Sequence, residues 1–124
     1  MEKTEISLSF TISEKPPLLV VSFKGIFSAI TSPEIEKCQT EILSRLTEHG
    51  AKYVILNFQE VTAIHINGIP PIHRLKKAVR DKSGTTRLCT VSPHVRKLLL
   101  DNGVFGIGEM SDTLLTALQE FQGK

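Results

Sequence analysis

Few side chains in this sequence are suited to chemistry. There are four histidines and two cysteines. A lone histidine can move a proton near neutral pH, but a metal site needs three or four convergent donors. His65 and His73 have no acidic pair at ligand spacing, so they do not read as a metal site. Cys38 falls on an apolar helical stripe, and Cys89 lies between Leu88 and Val91 in an apolar run. Both read as small core residues, not as nucleophiles, ligands or disulfide partners. The glycine-rich phosphate loops, the serine-hydrolase elbow, HExxH and CxxC are all missing. The expectation is a non-enzymatic protein with no metal and no cofactor.

What remains is a junction, His65-Ile66-Asn67-Gly68. Ahead of it runs Tyr53-Val54-Ile55-Leu56, with Phe58 just beyond. A short apolar run rich in β-branched residues predicts a strand buried on both faces. The chain is then expected to turn through Gln59 to Asn67. After the junction, Ile69, Ile72, Leu75 and Val79 recur at helical spacing, with His73, Arg74, Lys76, Lys77 and Arg80 around the rest. Asn67 is a good helix cap. That choice places Pro71 where it forfeits the first intrahelical bond, so an irregular first turn is expected. Strand-to-helix junctions are where open α/β sheets hold their functional groups.

The elements that must position this junction follow in order. Residues 5 to 12 alternate, with Ile6, Leu8, Phe10 and Ile12 on one face, as in a half-exposed strand. Pro16-Pro17 breaks it, and Leu18 to Phe23 predicts an antiparallel partner. Gly25 to Thr31 reads as a connection. Ser32-Pro33 predicts a helix start, with Ile35, Cys38, Ile42 and Leu46 inward and Gly50 as the residue that stops it. After the central strand and second helix, Thr85 to Val91 predicts a strand. Ser92-Pro93 caps a short helix with Val95, Leu98 and Leu99 inward, ended by Asn102-Gly103. Val104 to Ile107 predicts a last short strand. Ser111-Asp112 caps a final helix with Leu114, Leu115, Leu118 and Phe121 apolar. The order predicts an α/β fold, a mixed and mainly parallel sheet of four to five strands with an initial antiparallel hairpin and four helices.

Length and composition bound the rest. The 124 residues suit a single domain over 1–124, and 40% hydrophobic with 23% charged content is ordinary for a globular protein. A net charge of +2 does not point to nucleic acid. No apolar run reaches membrane-spanning length, which argues against direct membrane insertion, and the N-terminus carries no signal-peptide core, so the expected location is cytoplasmic. Charge is uneven: residues 73 to 87 carry six Lys/Arg against one Asp, whereas Glu34, Glu36, Glu41 and Glu48 give the first helix an acidic cast. The plain reading is two solvated helix faces; the sharper one is a surface that steers an acidic partner.

The layout resembles the STAS domain family, the anti-sigma factor antagonists and their relatives. In that family a buried strand of the type IVLNL leads through a short loop to D-S-S-G or D-S-x-G and then a helix. YVILNFQEVTAIHING fits that frame, with Gly68 on the motif glycine. LCTVSPHVRKLLLDNGV and the run from Val20 to Gly25 also resemble family segments. The resemblance implies a STAS-like fold and a serine or threonine that a partner kinase phosphorylates. That position is Asn67 here, which has no hydroxyl to accept a phosphoryl group. His65 stands at the motif aspartate, and Ile66 replaces its small polar neighbour.

Three readings follow. The first is a protein–protein interaction module, an anti-sigma factor antagonist-like regulator without the usual serine switch. By resemblance, its partner is an anti-sigma factor or related ATPase/kinase. Asn67 and Gly68 would sit at the contact centre, with His65, Ile66, Ile69 and Thr62 around them and the Ser92 helix beside them. Arg74 and Lys77 would steer association. Ile66 is expected to be buried; exposed, it would be a hydrophobic docking spot. The second is a constitutive STAS subunit of a signalling or transporter assembly. The third is a small-molecule or anion site at the helix start, which Pro70 and Pro71 weaken by removing two N–H donors. The strand from Ile6 to Ile12 also offers an edge at which a homodimer could pair.

Overall fold

The computed structural model describes residues 6–122. Glu5, at the start of the expected first strand, and both ends of the expected domain lie outside the described residues. The five strands are β1 (Leu8–Lys15), β2 (Leu18–Phe27), β3 (Tyr53–Ile64), β4 (Thr85–Cys89) and β5 (Met110–Ser111). They form one sheet in the order β1-β2-β3-β4-β5. β1 pairs antiparallel with β2, and every later pair is parallel. The helices are α1 (Ser32–Glu48), α2 (Ile69–Asp81), α3 (Pro93–Asp101) and α4 (Leu114–Gln122). The expected mixed sheet with a leading hairpin and four helices is the observed architecture.

Strand alternation assigns the two faces. Val54, Leu56 and Phe58 join an apolar cluster with Ile35, Cys38 and Ile42 of α1, Ile72, Leu75 and Val79 of α2, and Val95 and Leu99 of α3. Ile55 and Cys89 point the other way, against Ala117 and Phe121 of α4. The central strand is therefore buried on both sides, as its unbroken apolar run requires. Each buried Val, Leu, Ile or Phe side chain contributes about 1.5–3 kcal/mol over an exposed one.

Several boundaries differ from the sequence-based expectation. β2 runs on to Phe27 and β3 to Ile64, through stretches expected to be loop. β3 carries one extra residue between Asn57 and Glu60 and another between Val61 and Ala63 relative to β2. Such bulges break the two-residue period by which a strand is read. Val104 to Ile107 is not a strand: Val104 and Phe105 are buried in a turn, and the last strand is Met110–Ser111.

Caps shift as well. α1 starts after Thr31, not Ser32, which places Pro33 at the second helical position. The Thr31 hydroxyl turns back into the loop, donating to the Ile26 carbonyl at 2.9 Å and accepting from the Ser28 N–H at 2.8 Å. At α4, the Thr113 hydroxyl accepts from the Thr116 N–H at 3.1 Å, while Ser111 lies in β5. Leu115, one of the apolar residues of the last helix, is 65% exposed. The other signals hold. Gly50 follows the α1 cap with φ +74°, Ser92 accepts from the Val95 N–H, and Asn102 ends α3.

Two carboxylates tie the layers. Glu14 of β1 meets Arg45 at 2.7 Å and His49 at 2.9 Å. The His49 hydrogen bond, with Arg45 behind it, holds the Glu14 carboxyl below the ordinary carboxylate range against a smaller effect of burial. Lys76 of α2 reaches Glu109 and the Val104 carbonyl, each within 2.8 Å. Burial pushes the Glu109 carboxyl up, but Lys76 and the Gly106 N–H together outweigh it and hold the group low. A depressed folded-state pKa stabilises above the unfolded value, and that contribution disappears as pH falls through the lower folded value. Moving from pH 7 to pH 3 should therefore lower the urea midpoint more in the wild type than in a Glu14→Gln/Glu109→Gln double variant. An equal fall in both would assign the acid sensitivity to other groups.

Candidate functional site

The parallel strands β2, β3 and β4 end on the same edge of the sheet, and the His65–Gly68 junction lies there between β3 and α2. Its position is fixed by the last residue of β2. The His65 N–H donates to the Phe27 carbonyl at 2.8 Å, extending the β2–β3 pairing one step past Ile64. Ile66–Gly68 then forms a single 3-10 turn, closed by the Gly68 N–H donating to the His65 carbonyl at 2.8 Å. Below it Phe23, Phe27 and Phe58 pack ring on ring with centroids 5.0–5.6 Å apart. The mix of edge-on and offset-stacked pairs is the favourable one for aromatic rings.

Gly68 is where the turn meets β2. A methyl group on it would sit 2.5 Å from the Phe27 carbonyl carbon, 2.6 Å from its oxygen and 2.7 Å from the Ser28 nitrogen. All three are backbone atoms, so nothing flexible can yield. Gly68 and Ile69, expected at or beside the contact centre, are buried and support the turn from beneath without being exposed on it.

The residues on the surface are His65, Ile66 and Asn67. Ile66 is 62% exposed, which overturns its expected burial. Asn67 does not cap α2. Gly68 occupies that place, and no side-chain cap bond forms. With Ile69 as the first helical residue, Pro70 and Pro71 fall in the first turn, where their missing N–H groups cost nothing. The expected irregular start is the 3-10 turn. The Ile69 N–H is taken by the Ile66 carbonyl and the next two residues have none. The start of α2 is thus poor in free donors for an anion.

The remaining candidates spread outward from the junction. Thr62 lies in β3, exposed, its hydroxyl 3.3 Å from the Gly25 carbonyl. Arg74 and Lys77 are exposed farther along α2, and Arg74 makes a loose 4.0 Å pair with Glu36 of α1. Ser92 is on the same sheet edge but is committed to capping α3. His73 sits 3.4 Å from the Asn102 carbonyl and does not join His65. Among the described residues, no group of three or more His, Cys, Asp or Glu converges to hold a metal ion. No helix among them is long and apolar enough to cross a membrane.

Ile30 is the feature that sequence reasoning missed. It is 70% exposed in the Ser28–Thr31 loop, the loop against which Gly68 packs. The available signal was a bulky apolar residue set in a Ser/Thr/Pro-rich connection. Isolated exposed apolar residues are common, but Ile30 and Ile66 flank one backbone crossing.

Neither cysteine is poised for chemistry. Both are buried, and burial pushes the Cys38 thiol up to about 12. Burial also raises Cys89.

Two measurements check the site's construction. Gly68→Ala should cost roughly 1–3 kcal/mol in urea unfolding, the usual range for overpacking, whereas Asn67→Ala should stay within about 0.5 kcal/mol. A cost near 1 kcal/mol for Asn67→Ala would instead indicate a cap. A thiol reagent at pH 8 should leave both cysteines of the native protein unmodified and label both once urea is added.

The family model described as "STAS domain" matches residues 9–117. The anti-sigma F factor antagonist of Paenibacillus polymyxa is 23% identical over 117 residues, covering 94% of this chain and 97% of its own. The anti-sigma factor antagonist SpoIIAA, solved in its unphosphorylated form, superimposes with a TM-score of 0.75 at 19% identity over 94% of this chain and 98% of its own. The murine anion transporter Slc26a9 also contains a similar region. There the TM-score is 0.74 at 15% identity, over 90% of this chain and 19% of the transporter. At these identities the structural likeness speaks to fold.

Proposed function

This chain belongs to the STAS domain family, and from that premise we propose that it is a non-enzymatic anti-sigma factor antagonist-like module that docks a protein partner through the His65–Gly68 junction. The observation that carries the proposal is the exposed Ile66 beside Asn67, on a turn whose backbone is pinned to Phe27. A rigid, partly apolar spot loses little conformational freedom on binding. Ile30 extends the spot across the loop. Arg74, Lys77 and Arg80 continue it along the exposed side of α2 with positive charge, which speeds approach of an acidic partner. Thr62, His65 and Ser92 border the same area.

The partner we propose is an anti-sigma factor or a related ATPase-type kinase, acting in the cytoplasm. In the STAS frame Asn67 stands where the modified serine or threonine would be. A phosphoryl group there would bring about −1.5 to −2 charge to the docking centre. Asparagine cannot accept it and keeps the neutral, polar character of an unmodified serine. The module would therefore remain in its binding-competent state. Similarity to part of a transporter supports a second reading, a fixed subunit of a larger assembly.

Titration of the labelled protein with an anti-sigma factor from the same cell tests this reading. Ile66→Glu and Asn67→Asp should each weaken binding about tenfold or more, the effect of about 1.4 kcal/mol. Lys52→Glu, exposed at the opposite edge of the sheet, should leave it unchanged. With kinase partner and ATP added, the mass of the protein should stay constant. Phosphate on Thr62 would defeat the switch-free half of the proposal. A single membrane or scaffold complex, recovered regardless of nucleotide and of both substitutions, would favour the fixed-subunit reading.

A further inference from the structure

The opposite edge of the sheet carries a groove of about 820 Å³ that the docking reading does not use. It lies where β1 turns into β2, where α1 ends and where β3 begins. Its apolar wall is made by Pro16, Pro17, Leu18, Tyr53 and Phe121. The Tyr53 and Phe121 rings stack with centroids 4.7 Å apart and planes 28° from parallel. Phe121 is buried, with Tyr53 stacked on its ring and the Arg87 guanidinium 5.8 Å from its centroid, so the half-buried Tyr53 ring and the two exposed proline rings give the groove its flat surfaces. Its floor is fixed, because the Pro17 carbonyl accepts from the Lys52 N–H at 2.7 Å and the Tyr53 N–H at 3.0 Å. Pockets of roughly 300–1,000 Å³ suit small ligands.

The lining carries two lysine charges. Lys15, Lys52 and His49 border the groove. Glu14, which adjoins Lys15 in sequence, is engaged by Arg45 and His49. Lys15 and Lys52 form no ion pair among the described residues, although nine such pairs occur there. The last carbonyls of α1 also face this end and oppose an anion. Arg45's carbonyl is already taken by the N–H groups of His49 and Ala51, so two full lysine charges outweigh what remains.

We infer that this groove is a binding site for a small planar aromatic anion, its ring system against Tyr53 and the prolines and its acid group between Lys15 and Lys52. A flat body matches the Tyr53 and proline rings, and a single negative charge matches two lysines that form no ion pair among the described residues. Exposed ion pairs are individually weak, so affinity depends on the rings and selectivity on the charge.

The probe is 8-anilinonaphthalene-1-sulfonate, titrated by fluorescence with amide NMR mapping on the full chain. The expected result is saturable one-to-one binding that moves the Gly50 and Tyr53 amides. Affinity should fall roughly tenfold in Lys15→Glu/Lys52→Glu, and stay constant in Lys77→Glu/Arg80→Glu and in Ile66→Glu. All the substituted residues are exposed, so the variants should fold, which circular dichroism checks. Unchanged affinity in the Lys15/Lys52 variant overturns the inference. So do shifts centred on Ile30 and Ile66, or equally tight binding of the neutral N-phenyl-1-naphthylamine. Protein that self-associates through the groove, seen as a concentration-dependent dimer whose Gly50 and Tyr53 amides shift without probe, also overturns it by making a second copy the occupant.

Discussion

The constraint on which the junction depends is the backbone crossing at Gly68. There a 3-10 turn is pressed onto the end of β2 with no room for a single carbon atom. The rest of the junction follows from that contact. β2 must reach Phe27 to provide the surface, and β3 must run parallel to it as far as Ile64 so that His65 can bond the Phe27 carbonyl. The aromatic trio supports both strands, and the buried Ser28 and Thr31, hydrogen-bonded to each other, anchor the loop beside them. Held this way, Ile66 and Asn67 have nowhere to go but outward. Exposure of an isoleucine is usually unfavourable, and here it results from a backbone path set by its neighbours.

The same contact explains what the sequence could and could not disclose. Tyr53 to Phe58 was readable because burial on both faces leaves an unbroken apolar run. The six residues after it belong to the same strand but did not read as one. Two extra residues on β3 shift Val61 and Ile64 out of simple alternation while keeping them buried. Asn67 looked like a cap because its side chain is suited to one. The 3-10 turn moved the helix start to Ile69 and left that side chain free. Ile66 looked buried because hydrophobicity is a local property, whereas burial depends on which backbone lies opposite. Ser92 was correctly read because its cap is local, a hydroxyl and an N–H three residues apart. The last strand was misplaced for a related reason: Val104 and Phe105 are apolar enough for a strand, yet Lys76 binds the Val104 carbonyl from α2 and spends it outside the sheet. The junction between β3 and α2 was legible as a location. Which of its side chains face outward was set by long-range contacts.

Electrostatics divides the surface in a similar way. The acidic cast of α1 and the basic cast of α2 meet only through the loose Arg74–Glu36 pair, both side chains more than half exposed. Such a pair contributes little to stability. The strong pairs are elsewhere, at Glu14, Glu109 and Glu120, where they join strands or connections to helices. The positive charge of α2 is thus largely unspent within the fold. Over the Debye length of about 8 Å at physiological salt, it acts on approaching molecules near the helix. A partner steered by it should associate more slowly as salt rises, while contacts at Ile66 keep their strength.

β3 connects the two edges of the sheet, from Tyr53 at the groove to Ile64 beside the junction. Its middle, Val54 to Phe58, is sealed on both faces, and close-packed interiors do not deform gradually. An occupant of the groove can affect docking only by favouring one of two discrete arrangements, and it shifts that balance by no more than its difference in affinity for them. The bulges are the part of β3 where a second arrangement costs least, since pairing there is already irregular. A one-residue slip at either bulge would carry His65 away from the Phe27 carbonyl and lift Gly68 off its seat. The groove end of β3 is in regular register with both neighbours, so an occupant there would leave the junction undisturbed unless it reached past Asn57.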